Sequence, residues 1–358
     1  MKPIVFFINN LANGGAEGVC VAVANELYKR GWDVKVVLLN NFRMERATQL
    51  SSDIQVQILG RRRARQSLPA IIRYLNSERP EQILVFNFQI SILMLMIRPF
   101  LNCKPRIHSR CINTLSFKIA SQNAAAKAFL LNKLVSIVYS RSDTIIAQSE
   151  SMAEDLVTNY GIERSRIRVI YNPVARTAPT ESKKVGSRYI LFVGRLDLQK
   201  NLDLALESFK ILQGRIPDLR FKIVGDGNQR SHLETLANSL GIANNVDFEG
   251  FQSDPVPYYR NALATVLTSH YEGFPNVLVE SIANGTPVVS VDCPSGPSEI
   301  IFPGVNGFLV PNYDPQSLSG SLQSAFTHGF DPSDMRYSLE RFDIDTITSQ
   351  YEEIFNSS

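Results

Sequence analysis

"SHYEGFPNVLVESIANGTPVVSVD", residues Ser269–Asp292, is the stretch whose reading decides the fold. Gly273, Phe274 and Pro275 form a turn, and an apolar run of helical pattern begins near Asn276 or Val277. "TPVVSVD" (286–292) then has the near-continuous apolar character of a strand buried on both faces. A turn, a helix and a buried strand in that order form the repeating unit of a parallel α/β layer. Such layers present ligands at the carboxyl ends of their strands. Glu272 and Glu280, eight residues apart, stand on either side of the turn at such an end.

The same alternation extends outward in both directions. Upstream, strands are expected at 3–9, 33–40, 54–59, 82–88, 105–109, 144–149 and 167–173. Helices fill the gaps, as in "AEGVCVAVANELYKRG" (16–31), closed by Gly31. The polar stretch 174–188 reads as a linker, after which strands return at 189–196, 220–227, 246–251, 264–269 and 286–292. The expected fold class is α/β, with two doubly wound Rossmann-like domains (1–173 and 189–340) facing a central cleft. For the C-terminal helix, 341–358, packing back on the first domain is one option, and the residues themselves do not show where it lies.

With 358 residues, 44% hydrophobic and 20% charged, the chain has the size and composition of a two-domain globular protein. Its four cysteines form no close CxxC pair, which argues against a zinc ribbon or disulfide framework and suits a reducing compartment. "MKPIVFFINN" turns polar too soon for a signal peptide and reads as a first strand. "ILVFNFQISILMLMIRPFL" (83–101) contains Asn87, Gln89 and Arg98 and lacks the roughly 18 unbroken apolar residues of a membrane span. It reads as a buried strand followed by an apolar helix.

The net charge of +3 divides unevenly. Residues 1–171 hold 23 Lys+Arg against 12 Asp+Glu, and the remainder 14 against 22. Residues 60–141 alone carry 14 basic and 2 acidic side chains. A basic first half points to nucleic acid, an anionic membrane surface or a phosphorylated substrate.

Three loops carry candidate chemistry. "NNLANGGAEG" follows the first strand and leads into a helix, so Gly14 and Gly15 can bring backbone close to an anion or acceptor. It departs from the dinucleotide fingerprint, because Asn13 takes the first glycine position and Asn40 and Asn41 stand where a ribose-binding acid is needed. "VGRLDLQKN" (193–201) places Arg195 and Lys200 at a second strand end, where two cations suit a pyrophosphate. At the opening stretch, unpaired N–H groups of the helix start favour a diphosphate. Glu280 can accept hydrogen bonds from vicinal ribose hydroxyls, and Glu272 can face a sugar beyond the phosphates. The plain alternatives are a tight turn, a solvated loop and the polar face of an amphipathic helix.

Taken in order, these motifs resemble the retaining GT-B glycosyltransferases, above all the large family 4, over essentially the whole chain. "NGGAE", the Arg195/Lys200 pair and the run from Glu272 to Glu280 continuing as "SIANGTPVV" carry the resemblance. The longer run "YEGFPNVLVESIANGTPVVSVDCPSGPSEII" is similar to members that build bacterial surface glycans on lipid-diphosphate carriers. The resemblance implies that Arg195 and Lys200 hold the pyrophosphate of a sugar donor, that Glu280 binds its ribose and that Glu272 contacts the transferred sugar. It also implies that the turn at Gly273 and the amides of Phe274, Asn276 and Val277 complete the phosphate cradle. Gly14 and Gly15 would line the cleft from the first domain, and His108, in "PRIHSR", would stand at a strand end near the sugar, with a packed structural histidine as the alternative. Arg195, Lys200, Glu272 and His108 are thus the expected catalytic set, with no cofactor and no metal. The one Asp-x-Asp, Asp343 to Asp345, precedes the final helix and reads as a cap.

Arg61, Arg62, Arg63 and Arg65 enter a helix that also carries Arg73 and are expected to serve the acceptor or an anionic membrane surface. Lys118, Lys127 and Lys133 beside Phe117, Phe129, Leu130 and Leu134 extend that expectation over 117–139. No nucleic-acid module accompanies the charge. The expectation is a retaining, metal-independent hexosyl- or N-acetylhexosaminyltransferase using a nucleotide-diphosphate sugar, UDP-linked by preference. Its acceptor would be a polyprenyl-diphosphate-linked glycan, placing the enzyme in the cytoplasm, peripheral on the inner membrane face. A sugar-nucleotide epimerase of the same architecture and a non-catalytic nucleotide-sugar sensor are the rivals.

Overall fold

The computed structural model describes residues 2–60, 64–111, 116, 125–174 and 188–357. The chain divides into two compact units. Unit 1 takes Met1–Pro173 together with Ile344–Ser358, and unit 2 takes Val174–Asp343.

Unit 1 carries a parallel sheet of β1 (Lys2–Ile8), β2 (Trp32–Leu38), β3 (Gln55–Ile58), β4 (Gln82–Val85), β5 (Arg106–Arg110), β6 (Thr144–Ala147) and β7 (Ile167–Val169), in the order 3-2-1-4-5-6-7. Its crossover helices are α1 (Gly15–Lys29), α2 (Leu68–Glu78), α3 (Phe88–Ile97), α4 (Ala125–Tyr139) and α5 (Glu150–Tyr160). Helices cover both faces, so the central strands are apolar on both sides: Phe6 and Ile8 enter one core, Val5 and Phe7 the other.

Unit 2 repeats the plan with β8 (Tyr189–Val193), β9 (Arg220–Val224), β10 (Val246–Gly250), β11 (Ala264–Leu267), β12 (Val288–Val291) and β13 (Gly307–Val310), ordered 10-9-8-11-12-13. Its helices are α6 (Leu202–Arg215), α7 (Arg230–Ser239), α8 (Val256–Asn261), α9 (Asn276–Ala283), α10 (Pro297–Ile300), α11 (Pro315–Thr327) and α12 (Pro332–Tyr337). The doubly wound parallel architecture expected from the sequence is present in both units. β13 was not expected; it is four residues long and begins at Gly307, whose added Cβ would meet the Val288 carbonyl oxygen at 2.1 Å.

The final helix, α13 (Ile344–Asn356), belongs to unit 1. Ile347, Tyr351, Ile354 and Phe355 enter the core that α1 and β2 line. Arg30 fixes the helix through Asp345 at 3.1 Å and Glu352 at 2.9 Å, and the Trp32 indole donates to Glu352 at 2.8 Å. Each apolar side chain buried there, such as Ile347 or Phe355, contributes about 1.5–3 kcal/mol.

Among the described residues no helix is long and apolar enough to cross a membrane. The 83–101 run is β4 and α3, with Ile90, Met94 and Leu95 buried in unit 1.

Candidate active site

In unit 2 the strand order reverses between β8 and β11, and the loops at their carboxyl ends hold the residues singled out in the sequence. The loops after β8 and β9 interlock through their backbones. Gly194 N–H donates to Val224 O at 2.9 Å and Leu196 N–H to Asp226 O at 3.0 Å. A Cβ on Gly225 would lie 1.8 Å from Gly194 O, and one on Gly227 2.2 Å from Leu196 O. The glycines of "VGDG" are there because two main chains touch.

Lys200 closes a single 3-10 turn, Leu198–Lys200, and its ammonium sits 2.6 Å from Glu272 Oε1. Ser269 Oγ donates to the same oxygen at 2.6 Å. The carboxylate is buried, and the Glu272 N–H donates to Pro294 O at 3.1 Å. The 269–272 segment is pinned to the 198–200 turn from several sides. His270 N–H donates to Gln199 O at 2.8 Å, Gln199 Nε2 to Tyr271 O at 2.8 Å, and Thr268 Oγ1 to Lys200 O at 2.9 Å. Tyr313, just beyond β13, donates to Ser269 O at 3.0 Å. Cys293 lies beside the pair; burial first, then the charge of Glu272, pushes its thiol up to about 12. Arg195 is 77% exposed on the same loop, 3.5 Å from Asp197.

The turn into α9 is held by a second loop. Gly296 has φ 105°, and a Cβ there would stand 2.4 Å from Pro275 Cδ. Phe274 is buried with its ring edge-on to Phe342 at 5.4 Å, so only its backbone is offered to a ligand. Asn276 and Val277 are partly exposed at the helix start, although the Asn276 N–H also donates to Phe274 O at 3.0 Å. Glu280, partly exposed farther along α9, accepts from the Tyr259 hydroxyl at 3.0 Å. That phenol is fully enclosed, and burial together with the Glu280 charge holds it well above its usual range.

The structure thus joins Lys200 directly to Glu272, puts Arg195 on the Lys200 loop and links Glu272 to Glu280 through the Gly273–Val277 turn. Two cations and a helix start can neutralise a diphosphate, while two carboxylates accept from hydroxyls. Ser269, Gln199, Tyr259 and Tyr313 were missed. Ser269 lies three residues before Glu272, but its role becomes visible only when the strand-end loop folds back.

Unit 1 requires one correction. His108 is not at a strand end: it lies within β5, paired between Leu84 and Thr144, and is 2% exposed. Strand alternation puts it on the face that α13 covers, its ring 5.3 Å from Phe355 and its Nε2 3.4 Å from Gln82 Oε1. Burial, then Arg106, lowers its pKa to about 4. The glycine loop, expected to take an anion or an acceptor, has an acidic side chain close to it. Gly14 is the N-cap of α1 and Gly15 its first residue, but a Cβ on Gly14 would lie 2.1 Å from Glu17 Oε2. The first turn therefore carries its own carboxylate, which suits a hydroxyl-bearing ligand better than an anion. Beside it, the Arg46 guanidinium lies about 3 Å from where a Gly18 Cβ would stand, a cation the motif reading had not noticed.

Arg73 is exposed on α2. Arg61, Arg62 and Arg63, with the side chains of Arg65, Phe117, Lys118, Lys127, Phe129 and Leu130, lie outside the described residues.

Residues 13–177 match the family described as Glycosyltransferase Family 4, and residues 176–340 match Glycosyl transferases group 1. Over 340 residues the chain is 28% identical to the N-acetylgalactosamine-N,N'-diacetylbacillosaminyl-diphospho-undecaprenol 4-alpha-N-acetylgalactosaminyltransferase of Campylobacter jejuni, with 90% of each chain covered. It is 34% identical over 176 residues to a lipopolysaccharide 1,6-galactosyltransferase of Salmonella typhimurium, covering 47% of this chain and 48% of that one. In structure it is similar to Anabaena HepE in complex with UDP-glucose, with a TM-score of 0.83, 20% identity and both chains covered completely.

Proposed function

Because the chain belongs to the family 4 and group 1 glycosyltransferases of GT-B fold and is related to bacterial surface-glycan transferases, we propose that it moves a hexose or N-acetylhexosamine from a UDP-sugar, with retained configuration, to a polyprenyl-diphosphate-linked glycan. The observation that carries this reading is the Lys200–Glu272 pair, its carboxylate buried, at the strand ends of unit 2. An ammonium has three donors, so Lys200 can keep Glu272 while turning another toward the departing diphosphate. Arg195 is exposed and adds a planar fork. Glu272 then accepts from the sugar, and Glu280 from the ribose.

Departure of the diphosphate needs its charge neutralised, and the two cations with the start of α9 supply that without a metal. Retention follows when the acceptor attacks the face that the diphosphate leaves and a phosphate oxygen takes the acceptor proton. The relative from Campylobacter jejuni, whose name specifies a diphospho-undecaprenol carrier, supports a lipid-linked acceptor. The UDP-glucose complex of HepE supports the nucleotide. The basic first half fits a peripheral position on the inner membrane face.

The test is nucleotide-diphosphate release from UDP-, GDP- and ADP-sugars, with and without membrane lipid extract, in wild type and Glu272→Ala. Release that requires one UDP-sugar and the lipid, and falls by roughly 10²–10³ in the variant, supports the proposal. Release without lipid moves the acceptor into solution. Conversion of the sugar donor without release favours an epimerase, and binding without turnover in the presence of every acceptor a sensor.

A further inference from the structure

Residues 82–142 contain eight Lys+Arg and no Asp or Glu. Within this segment α3 and α4 pack against each other in unit 1. Arg98 ties their C-terminal ends together, reaching Arg141 O at 3.4 Å and Asp143 at 2.7 Å. One side of the pair is used in the core, by Ile90, Met94 and Leu95 on α3 and Val135, Val138 and Tyr139 on α4.

The other side is apolar as well. Phe100, in the 3-10 turn that continues α3, is 83% exposed, Ile137 50%, Met96 48% and Leu134 41%. On α4, Leu134 and Ile137 are three residues apart and follow one helical face, and Arg141 stands in the turn two residues past the end of that helix. Lys104, Lys133 and Arg141 are exposed nearby in the chain, and none is ion-paired among the described residues.

We propose that this α3–α4 face docks on an anionic bilayer, with Phe100 and Ile137 entering the headgroup boundary and Lys104, Lys133 and Arg141 meeting lipid phosphates. The inference deepens the lipid-linked acceptor reading and rests on it for its biological sense. Charge complementarity selects the occupant. A second copy docking through the same face would bring cations against cations, whereas an anionic surface takes both the apolar tips and the charges. Long basic side chains lie along apolar surface with their heads at the water boundary.

The test is co-sedimentation, without sugar nucleotide, on vesicles of phosphatidylcholine alone and of equal parts phosphatidylcholine and phosphatidylglycerol. Wild type is expected to bind the mixed vesicles at least roughly tenfold better, and high salt to weaken that binding. Phe100→Ser with Ile137→Ser, and separately Lys133→Glu with Arg141→Glu, should each lower binding roughly tenfold at an unchanged urea midpoint. Tyr337→Ser, which removes a 73% exposed ring from unit 2, should leave binding as it was. Equal binding by wild type and the Phe100/Ile137 variant, no preference for phosphatidylglycerol, or a wild-type dimer that the variant lacks would each overturn the proposal. Transfer to a detergent-dispersed acceptor is measured separately, so loss of docking and failure of the transfer reading give different results.

Discussion

Glu272 Oε1 receives two donors, Lys200 and Ser269, and its position therefore depends on a hydroxyl as well as on a charge. Ser269→Ala removes a hydrogen bond to a charged group, a loss of about 1.5–3 kcal/mol. We expect kcat to fall roughly ten- to a hundredfold while UDP affinity, measured by calorimetry, is unchanged; an equal loss of UDP affinity would make Ser269 a general packing residue. His108 supports a prediction about stability and pH. Its pKa in the folded protein, about 4, lies below the unfolded value of 6.5, so the unfolded chain binds the extra proton between those values. The stability this provides is fully present above about pH 6.5 and is lost as pH falls toward 4, amounting to about 3 kcal/mol. Urea unfolding of wild type and His108→Gln at pH 7 and pH 5 checks this: the variant should lose less stability on acidification. The sequence could show that His108 lay in a strand, but not which face it took or that a helix from the far end of the chain would cover it.

At the scale of elements, the two crossing loops of unit 2 tolerate no side chain where they touch. Gly225→Ala places a Cβ against the Gly194 carbonyl at a φ of 139°, so the loops must part. A loss of about 2 kcal/mol or more, read from the urea midpoint, and weaker UDP binding are expected. The doubly wound alternation and the two-carboxylate turn were legible because each is written locally, as apolar runs and as glycine and proline at fixed offsets. Strand ends were overrun: the 189–196 expectation stops at Val193, since Gly194 to Leu196 turn away to pair with the β9 loop. β13 escaped because it is short and half covered. Gln199 and Tyr313 escaped because their function is to join loops far apart in sequence, which no local pattern encodes.

At the scale of the whole molecule, each unit has its own buried cores, and the chain passes between units at 173/174 and 343/344. Urea unfolding followed by tryptophan fluorescence reports unit 1, which holds the only tryptophan, Trp32, while far-ultraviolet dichroism reports both. We expect the two signals to part when UDP is added at about 100 Kd, because unit 2 alone gains about 2.7 kcal/mol. Coincident curves at every UDP concentration would mean that the units unfold as one.

Because α13 completes a core begun by β1, β2 and α1, unit 1 is interrupted by the whole of unit 2. During synthesis at ~5–20 residues per second, the ribosome takes about ten to thirty seconds to make that insertion. Over that interval the apolar seat of Tyr351 and Phe355, beside Trp32, has no occupant from its own chain. The nascent first half holds that seat open until the residues that follow unit 2 emerge and close it.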